Sequence, residues 1–355
     1  MTLSKGDKRA FEWLKTKKRD ETYPRSDLLA AAKWKESSLK TYLSKNKLAP
    51  FIQPIANGRL QILMDGEEIS DVYFQEVFTQ SSPKRVSLRS GQVFRGSKAS
   101  YELVDPLGNG AVGHVWSATV AGAADLVAIK VMLPREMFKG SVLANVRERF
   151  RREGRNGAVI NHPNVVKYLD WGSVQRNPWI AMELAERSVG KKLKEEEPFT
   201  EDEAEHVIAC VVEGLRALHE TGSPHRDVKP DNLLEFEETY KLGDLGIVNW
   251  SDFDPSFTRG GTITRASIQL GSWNYMAPEQ IQTPHEASFA SDVYALGISW
   301  IEMLSGVLPS PHAIGSHSYD PPSKDESVNK LIMAMVEYEE AKRPSLDDIK
   351  GIVAK

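Results

Sequence analysis

The chain has 355 residues, 41% hydrophobic and 26% charged, with a formal net charge of −4, a composition that fits a soluble globular protein long enough for more than one core. No apolar run approaches the roughly 18 residues that span a bilayer, which excludes a membrane-spanning class, and the single cysteine, Cys210, excludes an internal disulfide. Charge is uneven: residues 1–100 hold 19 Lys or Arg against 11 Asp or Glu, and the remainder holds 26 against 38.

The first twenty residues carry seven Lys or Arg and no apolar stretch of the kind that directs export, and Thr2 stands where N-myristoylation requires glycine. A cytoplasmic protein is expected. Helical periodicity runs from about Lys5 to Lys18, and a second helix over Arg25–Ala32 is predicted with Ser26 as its cap. A turn at Lys33-Trp34 leads to a third helix from about Glu36 to Lys45. Phe51–Ile62 then reads as two strands around Asn57-Gly58, a strong hairpin signal.

Three helices followed by such a hairpin resemble a winged helix-turn-helix, here over residues 1–80. The resemblance implies a surface bearing Lys35, Ser38, Lys40, Thr41, Lys45 and Lys47, with Arg59 on the wing. Two occupants stay open: DNA phosphates, or a partner protein with the lysines merely solvated. Residues 81–99 contain five serines, five basic residues and no acid, and read as a linker.

A third region starts at residue 100. Leu107-Gly108-Asn109-Gly110-Ala111-Val112-Gly113-His114-Val115 lies between strand-like runs, and Val127-Ala128-Ile129-Lys130 follows. Val142, Val146, Phe150, Glu153, Gly157 and Ile160 recur at helical spacing, which sets the Glu153 carboxylate on an apolar stripe before Asn161-His162-Pro163-Asn164 closes the helix. Glycines at 154 and 157 each weaken a helix interior by about 1 kcal/mol relative to alanine, so a labile helix is expected. Pro178–Ala185 is strand-like, and Thr200-Glu201-Asp202-Glu203 is a capping box for a helix to about Glu220 that buries Cys210 among apolar neighbours. His225-Arg226-Asp227-Val228-Lys229-Pro230-Asp231-Asn232 comes next, with Asp244-Leu245-Gly246 twelve residues after Asn232. Gly271–Glu279, Ser291–Gly297 and Arg343-Pro344 complete the series.

In type and order these segments resemble the eukaryotic-type (Hanks-type) Ser/Thr protein kinases through residues 100–355. The resemblance implies an α+β, bilobal protein kinase fold preceded by the small winged-helix-like domain, with ATP and Mg²⁺ as cofactors and a protein substrate. It casts Asp227 as the residue that accepts or orients the substrate hydroxyl proton, Lys229 as neutralising the moving phosphoryl group, and Asn232 and Asp244 as metal ligands. Lys130 would hold the α- and β-phosphates with Glu153 as its partner. Leu107, Gly108, Gly110 and Gly113 would cover the phosphates; Val115, Ala128 and Leu234 would sandwich adenine. Met182 would be the gatekeeper, with the Glu183 carbonyl and Ala185 N–H on the adenine edge. Asp292 would fix the catalytic-loop backbone, and Arg343 would pair with Glu279.

Two positions depart from the pattern. Leu245 replaces the usual phenylalanine, a mild change at a packing position, and Asn249 stands where a further lysine is common, which puts phosphate control of the loop in doubt. Candidate phosphosites are Ser87, after Lys84-Arg85-Val86, and Thr258, Thr262, Thr264 and Ser267 between Asp244 and Glu279, with Arg226 and Arg149 as candidate phosphate contacts. Similarity to prokaryotic regulatory or phage-defence kinases is a fold-level analogy. The alternatives are a nucleotide-binding scaffold without useful turnover, or a DNA-binding regulator with an accessory kinase domain.

Overall fold

A computed structural model describes residues 3–18, 21–44, 48, 51–62, 87–109, 113–123, 125–133, 147, 150–151, 153–155, 157–174, 177–245, 272–282, 287–316 and 318–353. The chain divides into two compact units, one of Met1–Asp125, Ile129–Arg151 and Trp171–Ile180, the other of Leu126–Ala128, Arg152–Asp170 and Ala181–Lys355. Gly110, Thr258, Thr262, Thr264 and Ser267 lie outside the described residues, as do Lys45, Lys47 and Arg149.

Within the first unit, helix α1 (Lys5–Lys15) opens on a reciprocal cap in which Ser4 Oγ accepts the Asp7 N–H and Asp7 accepts the Ser4 N–H. Helices α2 (Arg25–Ala32) and α3 (Glu36–Ser44) follow, and strands β1 (Thr22–Pro24), β2 (Ile52–Ile55) and β3 (Arg59–Ile62) pair antiparallel in the order β1-β3-β2. Asn57 and Gly58 both take left-handed backbone, φ 59° and 68°, which is what a tight turn with the strands' own twist requires. Phe11, Leu14, Leu28, Leu39, Phe51 and Leu60 are buried together, so residues 3–62 close a core of their own.

Three expectations for this segment change. The first helix stops at Lys15, because Thr16 turns out of helical geometry and its hydroxyl bonds the Trp13 carbonyl. The second helix spans Arg25–Ala32 as expected, but Pro24 and not Ser26 stands at its cap; Ser26 sits inside the first turn, where its hydroxyl reaches Asp27 instead of a backbone N–H. Arg59 does not project from the wing, since its guanidinium bonds the Thr22 carbonyl at 2.6 Å and the Thr22 hydroxyl at 3.0 Å.

A six-stranded sheet carries the next region: β4 (Val93–Arg95), β5 (Ser100–Asn109), β6 (Gly113–Val120), β7 (Leu126–Met132), β8 (Tyr168–Val174) and β9 (Asn177–Glu183), in the order β4-β5-β6-β7-β9-β8. Its strands are rich in Val, Ile, Tyr and Trp, side chains that fit a pleated surface. Trp179 is buried in this sheet and packs its ring 5.8 Å from Phe94 and 5.5 Å from Tyr101.

The second unit is mainly helical. Helix α4 (Val189–Glu195) precedes α5 (Glu201–His219), whose Thr200–Glu203 capping box forms as expected and whose inner face buries Cys210. Strands β10 (Arg187–Ser188), β11 (Leu233–Phe236) and β12 (Thr239–Leu242) make a small antiparallel sheet. After α6 (Pro278–Gln282) comes the central helix α7 (Phe289–Ser305), capped by Ser288, ended by left-handed Gly306, and buried from Ser291 through Ile301. Helices α8 (Pro311–Gly315), α9 (Glu326–Met335) and α10 (Leu346–Val353) complete it. Among the described residues no helix is long and apolar enough to cross a membrane.

Candidate active site

The segment between α5 and β11 is held by one buried carboxylate. Asp292, at the start of α7 and 1% exposed, accepts the backbone N–H groups of His225 and Arg226, both at 2.7 Å, and the ring nitrogen of His219 at 2.8 Å. These bonds hold Arg226 at φ 71°, a left-handed conformation that costs a non-glycine residue about 1 kcal/mol or more.

His225 is fully buried and settles its own tautomer. Its Nε2 lies 3.0 Å from the Gly243 carbonyl, which can only accept, so Nε2 carries the proton and Nδ1 is free to accept the Asp227 N–H at 3.3 Å. A neutral imidazole thus links the loop to the segment before Asp244. The Gly243 N–H closes the same link from the other side by donating to the Asn232 carbonyl at 2.9 Å.

On this frame Asp227, Lys229 and Asn232 come together. Lys229 Nζ lies 2.7 Å from Asp227 Oδ2, and Asn232 Nδ2 donates to the Asp227 carbonyl at 2.7 Å and to Oδ2 at 3.0 Å. With both amide hydrogens of Asn232 committed to Asp227, its side-chain oxygen is the atom available to a hard cation. Asp244 follows Gly243 with φ 52°, a second non-glycine residue of this region in the left-handed conformation. Among the described residues no group of three or more His, Cys, Asp or Glu is arranged to hold a metal. One carboxylate and one amide oxygen nonetheless suit Mg²⁺, which keeps several waters and takes phosphate oxygens as ligands.

The other expected nucleotide-binding positions fall on the sheet and the chain after it. Gly108 pairs with Val115 and Asn109 with His114 across the β5–β6 hairpin. Gly113 is packed tightly, since a β-carbon there would stand 2.2 Å from the Val131 carbonyl oxygen. Lys130 is on β7, with Nζ 5.4 Å from the Phe150 ring centroid. Ala128 and Met182 are buried at 6% and 7% exposure, and Leu234 is half-buried on β11. Glu183 ends β9; its N–H bonds the Lys167 carbonyl and its carboxylate takes Lys241 Nζ at 2.8 Å, while Ala185 lies just beyond the strand. Leu107 is exposed and Leu245 is buried.

Glu153 is fully buried in helix, and the Tyr168 hydroxyl donates to its Oε1 at 2.9 Å. Tyr168 was not among the expected site residues. The signal was faint: a tyrosine at the head of β8, eleven positions from a glycine whose missing side chain it replaces. Farther on, Arg343 makes a forked pair with Glu279 at 2.7 and 2.8 Å, and Ser291 adds a bond at 2.7 Å. Burial would raise the Glu279 carboxyl, but the Arg343 and Ser291 bonds prevail and hold it below the ordinary carboxylate range.

Residues 101–352 match the family model described as protein kinase domain, and the chain belongs to that family. It is 31% identical over 236 residues to the serine/threonine-protein kinase PknD of Mycobacterium tuberculosis, covering 66% of this chain and 32% of that protein. It is 34% identical over 211 residues to PknH of Mycobacterium bovis, covering 59% and 33%. An Aurora kinase of Saccharomyces cerevisiae is 28% identical over 261 residues, 70% of this chain and 67% of that one. The chain spans about a third of the length of most of these bacterial relatives. In structure it is similar to the kinase domain of M. tuberculosis PknI, with a TM-score of 0.56, 22% identity, and 76% of this chain and all of the other covered, a likeness of fold.

Proposed function

We propose that the protein is a Ser/Thr protein kinase that transfers the γ-phosphoryl group of ATP, with Mg²⁺, to protein hydroxyl groups. The observation that carries this reading is the Asp227 carboxylate, oriented by Lys229 and Asn232 on a backbone that Asp292 fixes. A carboxylate so held is poised to orient a substrate hydroxyl and take its proton, and Lys229 brings a cation to the oxygens whose charge shifts during transfer. Lys130 and Glu153 serve the α- and β-phosphates; Leu107, Gly108, Gly110 and Gly113 cover them. Val115, Ala128, Met182, Glu183, Ala185 and Leu234 receive adenine. Asn232 and Asp244 would hold Mg²⁺, which would supply positive charge against the phosphates. Incubation with labelled ATP, Mg²⁺ and a mixed peptide library, followed by mapping of modified residues, tests the assignment. Label on serine and threonine supports it, and label on tyrosine alone, or on none, defeats it.

Residues 1–80 read as a winged-helix-like module that targets or regulates the kinase domain; the expected linker 81–99 is shortened at its end, because Val93–Arg95 pairs into the six-stranded sheet and Phe94 packs on Trp179 there. The arrangement of α1–α3 with a three-stranded antiparallel sheet supports this. Lys35 and Lys40 are exposed, whereas Arg59 is tied to Thr22, which removes one of the expected phosphate contacts and favours a partner protein over DNA. Titration of the full chain against duplex DNA at several salt concentrations separates the two, because about three or four phosphate contacts give a log–log slope near −3.

A further inference from the structure

Strand β4 precedes the family match, which begins at residue 101, and stands at the edge of the sheet. It is short but well seated. Around its pairing with β5, the Gly91 N–H donates to the Leu103 carbonyl at 2.8 Å, the Leu103 N–H to the Gln92 carbonyl at 3.0 Å, and the Gly96 N–H to the Ala99 carbonyl at 2.9 Å. Phe94 is 1% exposed, whereas Val93 and Arg95 on either side of it are exposed. One side chain thus anchors the strand. In sheet order β4 lies four strand spacings from β9, about 19 Å across a flat sheet, yet the rings of Phe94 and Trp179 are 5.8 Å apart. The sheet is therefore rolled, and Phe94 closes its open side. Trp179 carries the contact on to β8, where a β-carbon at Gly172 would stand 2.6 Å from the Trp179 ring.

Strand β5 links this anchor to the hairpin assigned to the phosphates. Its early residues, Tyr101 and Glu102, pair with Phe94 and Val93, and its last two, Gly108 and Asn109, pair with Val115 and His114. Between these ends the register with β6 shifts twice, which by itself would loosen the connection. The buried Ser117 hydroxyl offsets this, accepting the Asp105 N–H at 3.1 Å and donating to the Asp105 carbonyl at 3.3 Å. The strand is stitched to β6 at its irregular point.

We propose that Phe94 is a positioning residue for ATP: by seating β4 in the rolled sheet it fixes β5 and, through β5, the β5–β6 hairpin that covers the phosphates. The proposal rests on the kinase reading for the role of that hairpin. The seating of β4 rests on the geometry alone. It places a determinant of nucleotide affinity ahead of residue 101, in a segment that the family match does not include.

In the full chain, Phe94→Ala should raise KM for ATP about tenfold and change kcat by less than about twofold. Loss of folded protein alone would do the reverse, lowering kcat at unchanged KM. Phe94→Leu should fall between, and it carries the same comparison if Phe94→Ala does not fold. A cross-link supplies the rescue. The Leu103–Gln92 bond makes Val93 and Glu102 a non-hydrogen-bonded pair, the close kind, about 4.5 Å between α-carbons, that a disulfide can span. Val93→Cys with Glu102→Cys, added to Phe94→Ala or Phe94→Leu, should bring KM back toward the wild-type value when oxidised and lose the gain on reduction. The Phe94 variant alone, with only the buried Cys210, is the redox control. Wild-type KM in the Phe94 variants, a fall in kcat alone, or a formed disulfide that leaves KM raised would each overturn the proposal. If the wild type itself transfers no phosphoryl group, the kinase reading fails and amide exchange still tests the coupling. Exchange in the Phe94 variants should quicken at 108–109 and 113–116 as well as at 101–103, and quickening confined to 101–103 would overturn it.

Discussion

Asp292 accepts the backbone N–H of Arg226 at 2.7 Å and thereby holds a bulky residue at φ 71° immediately before Asp227. The strain is local, and the compensation comes from a carboxylate 66 positions away on the central helix. Removing it should release the loop: Asp292→Ala is expected to lose roughly 3 kcal/mol of stability, the effect of orphaning buried donors, and at least tenfold in kcat. Asp292→Asn, which keeps one acceptor oxygen, should fall between. Denaturant melts beside steady-state kinetics check this, and full activity in Asp292→Ala would refute the positioning role.

The Glu279–Arg343 pair gives a pH dependence with a definite sign. The folded-state carboxyl of Glu279 is depressed below 4.5, so its contribution is fully present above the ordinary carboxylate range and lost as pH falls through the folded value. Arg343 is buried in this pair, and Arg343→Gln should cost about 3 kcal/mol or more near neutral pH. The difference from wild type should shrink between about pH 5 and pH 3. Urea melts across that range would show it; a difference independent of pH would mean that shape, not charge, sets the contact.

Two glycines of the proposed phosphate-covering loop should behave differently. A β-carbon at Gly113 meets the Val131 carbonyl oxygen at 2.2 Å, a backbone atom, whereas a β-carbon at Gly108 meets nothing within 4 Å among the described residues. Gly113→Ala is expected to lower Tm by several degrees without nucleotide. Gly108→Ala should leave Tm unchanged and raise KM for ATP. Equal effects on Tm would contradict the packing assignment.

Much of the site is legible in the chain because its parts are local. The Thr200–Glu203 cap, the Asn57-Gly58 turn and the run His225–Asn232 each carry their chemistry within a few residues; the cap and the turn form as expected, and Lys229 lies beside Asp227 in the run. Pairing across distance is less legible. The Gly157–Tyr168 contact needs a helix and a strand to be brought face to face, and spacing within either element is silent about it. The capture of Arg59 by Thr22 requires a third strand, β1, of only three residues, too short for a periodic signal. The cap of α2 shows proline setting the backbone where a serine two residues later offered a side-chain cap.

Self-modification is expected at Ser87, which is exposed after a basic run, and at Thr258, Thr262, Thr264 and Ser267. Mass spectrometry should find phosphate there in the active chain and not in Asp227→Ala. Equal phosphate in both would point to another kinase, and none in either would remove this route of control.

The central claim is that Asp227 carries phosphoryl transfer. Its most direct test is turnover of labelled ATP by the wild type and by Asp227→Ala, with nucleotide affinity measured on both. The expected result is a fall in kcat of about two to four orders of magnitude at unchanged ATP affinity. Near-normal turnover by Asp227→Ala would contradict the account.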